Sequence, residues 1–236
     1  MRALFVQHDH VSPTGPVSQR LRDRGFEVDE ILVVDEANFE TPNVDFEFPD
    51  LGDYDLIVPM GAPWGAWDDA CIGRWLLPEI DWVREAIQRD IPVLGICFGG
   101  QLMARALGGT VARGPKAETG WTAIHPDDPS LVSSGPWFHF HYDAWTVPEG
   151  ATEVARNAVA SQAFTVGRSL AVQFHPELTG DALEGWLREG GEQQVIADGQ
   201  NPAAMLAHTR AEERAAEQRT VALVDAFLDR VARLTP

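Results

Sequence analysis

The sequence predicts an α/β protein whose open, mostly parallel sheet is flanked by helices and followed by a helical C-terminal extension. Three observations point there. Strand-like and helix-like runs alternate up to Gly100, an apolar strand at Ile91–Ile96 passes through a glycine-rich turn into a helix, and Thr179–Arg233 is patterned mostly as helix.

Arg2–Gln7 is a short apolar strand, and Pro16–Arg24 is a polar, helix-competent run ended by Gly25, a residue suited to the left-handed C′ position. Phe26–Val34 alternates enough to be a second strand. Tyr54–Met60 is a third, bounded by Gly61-Ala62-Pro63-Trp64-Gly65. Between Ile72 and Arg89, Trp75, Leu76, Ile80, Val83 and Ile87 recur at helical spacing despite Pro78 near the start of the main run. Ile91–Ile96 is apolar throughout, as a strand buried on both faces requires, and Gln101–Leu107 is a helix ended by Gly108-Gly109. From Thr110 to Phe174 the texture is short β segments with Gly and Pro turns, of which Ser169–Phe174 is the most strand-like. In the final stretch Leu223, Val224, Phe227, Leu228 and Val231 form an apolar stripe, and Glu189–Gln194 is the expected mobile connection. The stretch after Leu178 is open to three roles: covering the sheet, forming a homodimer surface, or docking a partner.

At 236 residues and 44% hydrophobic content the chain suits one domain, 1–236, with 178–236 as its helical extension. A formal net charge of -18 argues against nucleic-acid and anionic-membrane partners, which would be repelled. No apolar run approaches the roughly 20 residues that span a bilayer. Two cysteines cannot build a disulfide framework and the N-terminus lacks a signal-peptide pattern, so a reducing, cytoplasmic setting is expected.

The chemistry concentrates in two segments. Gly95-Ile96-Cys97-Phe98-Gly99-Gly100-Gln101 has the layout of a nucleophile elbow, with the thiol at a helix N-terminus where free N–H groups favour the thiolate. The Phe98 N–H suits an oxyanion, and the Gly61-Ala62-Pro63 loop is placed to supply a second donor. A thiolate needs a base, and a base needs a group to fix its tautomer. Val172-Gln173-Phe174-His175-Pro176-Glu177 supplies both, because residues two apart on an extended chain point the same way.

These two blocks resemble the signatures of class I glutamine amidotransferases. The resemblance runs through Asp81–Thr110, Glu118-Thr119-Gly120-Trp121 and His141-Tyr142-Asp143 and covers most of Met1–Leu178, with the standalone branch related to the GMP synthase amidotransferase domain as the best match. It implies a flavodoxin-like sheet and a Cys97–His175–Glu177 triad that opens the side-chain amide of glutamine, with Cys97 as nucleophile, His175 as proton shuttle and Glu177 as orienter. It further implies an oxyanion hole from Ala62 and Phe98, and a substrate pocket lined by Gly61, Gln101, His141, Tyr142 and Asp143. No cofactor is implied. One departure stands out: the family usually has Gly-Gly-Pro where this chain has Gly61-Ala62-Pro63, and the added methyl restricts the loop.

A second departure is the lack of a synthetase domain or an ATP-binding P-loop, so an acceptor would need a separate synthase subunit. Three functions follow from this reading: a glutaminase subunit feeding such a synthase, a self-sufficient γ-glutamyl hydrolase, and a non-catalytic binding protein, the last disfavoured by the intact Cys-His-Glu set. Another cysteine-nucleophile family on a related fold is set aside, because Glu177 follows His175 by two and Gln101 completes the pattern. His8-Asp9-His10 and His139-Phe140-His141 have metal-compatible spacing but no third ligand in the sequence, so no metal site is expected. Trp64 and Trp67 are divided between walling the pocket and packing in the core, and Cys71, without a comparable frame, is read as inert.

Overall fold

The computed structural model describes residues 1–234. Its main sheet begins with β1 (Arg2–Gln7), which pairs in parallel with β2 (Glu27–Leu32) on one side and β3 (Leu56–Pro59) on the other. A bridge from Ile57 to Val93 carries the sheet on to β4 (Leu94–Ile96), which pairs in parallel with β10 (Ser169–Val172). Beyond β10 the pairing turns antiparallel through β9 (Ser161–Val166), β8 (Thr152–Arg156) and the short β6 (His125–Pro126). The sheet is therefore parallel over its first five strands and antiparallel at one edge. β2 forms the other edge and presents Glu27, Asp29 and Glu30 there.

Alternation along the strands sends apolar side chains to both faces. Ala3, Phe5, Leu56, Val58, Leu170 and Val172 pack under helices α1 (Gly15–Asp23) and α6 (Pro202–Ala226). Leu4, Val6, Ile57, Val93 and Ala171 pack under α2 (Asp69–Gln88) and α3 (Phe98–Ala106). A sheet covered on both faces leaves its carboxyl edge as the place for a ligand, above all where neighbouring crossovers leave in opposite directions. That point lies between β1 and β3.

A separate antiparallel pair, β5 (Val111–Thr122) and β7 (Trp137–Trp145), carries Glu118, His139, His141, Tyr142 and Asp143. Its Phe138 and Phe140 pack against α4 (Gly180–Trp186), α5 (Glu192–Ala197) and Met205 of α6.

Several boundaries differ from the sequence expectation for local reasons. α2 starts at Asp69, because the Asp68 carboxylate caps the Cys71 N–H at 3.1 Å, and it continues through Pro78 to Gln88. α3 starts at Phe98, three residues before the expected Gln101, because the elbow leads straight into the helix. In Glu189–Gln194 the chain kinks between α4 and α5, with Gly190 at φ 104, a conformation that favours glycine. The stripe at Leu223, Val224, Phe227 and Leu228 covers the sheet, and α6 is tied to α1 by Arg20 and Arg24, which both donate to Asp225 at 2.7 Å.

Candidate active site

Cys97 stands at the carboxyl end of β4 with φ 51 and ψ -104, a strained conformation for a residue with a side chain. Its own N–H donates to the Val172 carbonyl at 2.8 Å, while the next glycine's N–H donates to the Met60 carbonyl at 3.0 Å. Two neighbouring strands thus hold the turn from either side. The turn closes only without a side chain at 99, since a Cβ there would lie 2.0 Å from the Pro59 carbonyl oxygen.

His175 and Glu177 follow β10. The His175 N–H donates to the Phe138 carbonyl at 2.9 Å, and the ring's Nδ1 bonds Glu177 Oε1 at 2.7 Å, with both side chains almost wholly buried. Burial by itself would lower the His175 pKa; the Cys97 thiolate and the Glu177 carboxylate outweigh it and raise the ring to about 10. Nε2 is buried with no partner other than the Cys97 sulfur, which raises the ring first through charge and also through hydrogen bonding. The Trp186 ring stands edge-on to His175 at 4.9 Å and shields it.

The segment carrying His175 is pinned from behind. Thr220 of α6 donates its hydroxyl to the Pro176 carbonyl at 2.6 Å, and Gly15 abuts the Glu177 backbone so closely that a Cβ would lie 2.0 Å from its carbonyl oxygen.

Cys97, Phe98, Gly61, Ala62, Gln101, His141, Tyr142, Asp143 and His175 all line one cavity of about 380 Å³. Glu177 sits behind the His175 ring. The Ala62 and Phe98 N–H groups make no hydrogen bond among the described residues. Trp64 and Trp67 both line the cavity, and Trp64 also packs on the core residue Trp75. Burial pushes the Asp143 carboxyl up, opposed by hydrogen bonding from Trp67 and by Arg113, whose Nε lies 3.7 Å away. Tyr142 is turned towards α5, its hydroxyl donating to Asp198 at 2.8 Å.

Sequence reasoning missed three groups. Gln173 donates its amide to Cys97 Sγ at 3.6 Å while accepting from Gln101 at 3.4 Å; two residues before His175, its place on the same strand face was the signal. His8 and Glu79 form a wholly buried pair at 3.0 Å, and the other His8 nitrogen bonds the Gly61 carbonyl at 3.1 Å. Burial alone would keep the His8 ring neutral, yet the Glu79 carboxylate raises its pKa. A glutamate on the apolar face of α2 was the overlooked cue.

The expectation that His139 and His141 lack a third ligand needs correction, because the β5–β7 pairing sets Glu118 beside them, all three buried. Their ligand atoms are engaged except His139 Nε2, which is buried without a partner: Glu118 accepts from Asn157 and Gln162, His139 Nδ1 meets His141 Nε2 at 3.3 Å, and His141 Nδ1 donates to the Asp143 carbonyl at 3.1 Å. Burial, with His175 adding to it, lowers His141 to about 4 and His139 well below its ordinary value, so both rings are neutral at neutral pH.

No helix among the described residues is long and apolar enough to cross a membrane. The sequence profile described as "Glutamine amidotransferase class-I" matches residues 16–187. A glutamine amidotransferase-like protein of Penicillium rubens is 34% identical over 61% of this chain and 64% of its own length. A γ-glutamyl-L-1-hydroxyisopropylamide hydrolase of a Pseudomonas species is 34% identical over 63% of this chain and 55% of its own. The glutamine-hydrolysing GMP synthase of Aeropyrum pernix is 36% identical over 43% of this chain, a match spanning 22% of that enzyme. The chain thus spans less than two thirds of the length of each of these relatives. Among solved structures, a glutamine amidotransferase from Thermotoga maritima shares the fold at a TM-score of 0.79, with 24% identity over 97% of this chain and 98% of that one. One from Methylobacillus flagellatus does so at 0.81, with 20% identity over 97% and 94%.

Proposed function

From the premise that the chain belongs to the class I glutamine amidotransferase family, we propose that it hydrolyses a γ-glutamyl amide through a thioester on Cys97, with His175 and Glu177 completing the triad. The observation that carries this reading is the strained Cys97 elbow facing a His175 ring that Glu177 holds at 2.7 Å.

In this scheme the Cys97 thiolate attacks the γ-carbonyl carbon, and the carbonyl oxygen takes up negative charge between the Ala62 and Phe98 N–H groups. His175, protonated at neutral pH because its pKa is raised to about 10, gives its proton to the departing nitrogen, and the amine leaves. Water then attacks the thioester, His175 takes the proton back, and glutamate departs as the thiolate is restored. Gln173 holds the sulfur in place by its amide hydrogen bond. Asp143 and Arg113, paired at the cavity wall, suit the two charges of an α-amino acid. A thiolate in this role belongs in a reducing compartment, consistent with a cytoplasmic protein.

Two substrates of the class remain in play, glutamine itself with ammonia passed to a synthase, and a γ-glutamyl amide with a larger amine. The cavity favours the second. Its 380 Å³ and its walls of Phe39, Trp64, Trp67, Phe140 and Trp186 offer more room and apolar surface than the departure of ammonia needs. Glutamate release by the purified chain, measured on glutamine and on γ-glutamyl amides of graded amine size, tests this. Higher kcat/KM for the larger apolar amines is expected, with no release by Cys97→Ala. Turnover surviving in Cys97→Ala would overturn the mechanism, and a preference for glutamine would return the choice to the synthase-coupled reading.

A further inference from the structure

The Gly61 carbonyl and the Ala62 N–H belong to one trans peptide, in which the two groups point in opposite directions. A hydrogen bond that fixes the carbonyl therefore also fixes the N–H. Here the carbonyl is held from behind the loop by His8 at 3.1 Å, and His8 is held by Glu79 at 3.0 Å with both side chains wholly buried. His8 stands outside the cavity, whereas Ala62 lines it. The same imidazole packs on the Phe98 ring at 4.7 Å, so it touches both segments that carry candidate oxyanion donors.

We propose that His8, braced by Glu79, is a positioning residue that locks the Gly61–Ala62 peptide with its N–H turned into the cavity, so that the oxyanion site stands formed without any partner. This rests on the reading of Cys97 as nucleophile. The Gly61 carbonyl can only accept, so Nδ1 carries a proton and donates to it, while Nε2 and the Glu79 carboxyl share the second proton of the pair. A free loop would have to order this peptide at each turnover or wait for a partner to order it. The lock removes that step. It also compensates for the methyl at Ala62, which restricts the loop: the restriction costs nothing when the chain is held in a single working conformation.

The test uses a pair of variants on the whole chain. His8→Phe/Glu79→Leu replaces the ion pair with apolar side chains and leaves no unpaired buried charge, so the fold is retained. Its kcat should fall by about 10²–10³-fold, the effect of losing one oxyanion donor, with KM little changed. Alkylation of Cys97 by iodoacetamide, which needs no oxyanion hole, should keep its wild-type rate. Glu79→Gln, whose amide can donate to Nε2 while Nδ1–H still bonds Gly61, should recover most of the kcat. Independently of turnover, ¹⁵N spectra of wild-type protein at neutral pH should show His8 Nδ1 protonated. A crystal structure of the double variant should show the Gly61–Ala62 peptide released from its present orientation. A His8 with no proton on Nδ1, an unmoved peptide, or a wild-type kcat in the double variant would each overturn the lock. Failure of the wild-type chain to hydrolyse any γ-glutamyl amide would strike the proposed function, while the spectra and the crystal structure still judge the lock.

Discussion

In the proposed triad each residue has a distinct electrostatic task. If Glu177 orients His175 and supports its cationic form, Glu177→Gln should keep the shape of the site but lower kcat by about three to four powers of ten, with little change in KM. Steady-state kinetics on an active γ-glutamyl amide will show this; an unchanged kcat reduces the site to Cys97 and His175. His139 and His141 make a second prediction. Both are held neutral in the fold, whereas in the unfolded chain they titrate at the ordinary value of 6.5, so between 6.5 and about 4 the unfolded state binds more protons and stability falls as the pH falls. His141 alone accounts for about 3 kcal/mol across that window. Urea midpoints at pH 7 and pH 5 should show the loss, and His141→Gln should shrink it. Cys97, His175 and Glu177 were legible in the sequence because each lies in a short segment whose spacing has chemical meaning. His8 and Glu79 were not, being 71 positions apart, with a partnership that only the packing of α2 against β1 creates.

At the scale of elements, the site depends on close backbone approaches and on one helix acting at a distance. Gly99→Ala would drive a methyl into the Pro59 carbonyl, 2.0 Å away, and force α3 off β3. Loss of several kcal/mol is expected, at the upper end for single substitutions, with the elbow distorted even in folded molecules. Thermal melting and the rate of Cys97 alkylation report these two effects separately. Thr220→Val removes the hydroxyl that holds the Pro176 carbonyl at 2.6 Å in a buried setting. The stability cost should be about 1–3 kcal/mol, with kcat reduced because His175 is less well held. An unchanged kcat would show that Gly15 and the strand hydrogen bonds position the segment by themselves. The sequence revealed that a helix was present over Thr179–Arg233. It did not reveal that one turn of α6 supports the segment carrying His175, because the apolar stripe gives the buried face but not what lies against it.

Over the whole molecule, the sheet order was legible only in outline. Alternating strands and helices up to Gly100 give the parallel half. The antiparallel half is built from short strands, and it joins the parallel half only through the long-range pairing of β10 with β4, which the local β9–β10 hairpin does not announce. The two apolar faces make a further prediction. A chain ended before Pro202 would uncover the sheet residues now packed under Leu223, Val224, Phe227 and Leu228 and would lose the Asp225 clamp on α1. It should lack a cooperative melt and bind a dye for exposed apolar surface, and a cooperative transition near the full-length Tm would overturn this view of α6.

The edge strand β2 bears on how copies of the protein meet one another. Its hydrogen-bonding groups are open along one side, the usual template for joining sheets between molecules, yet it carries Glu27, Asp29 and Glu30. Pairing two such strands would bring the Glu27 carboxylates together and disturb the Arg2–Asp29 and Arg22–Glu30 ion pairs, on molecules that each already carry a net charge of -18. Crowded solutions should therefore stay clear and monodisperse at low ionic strength, with self-attraction growing as added salt screens that repulsion.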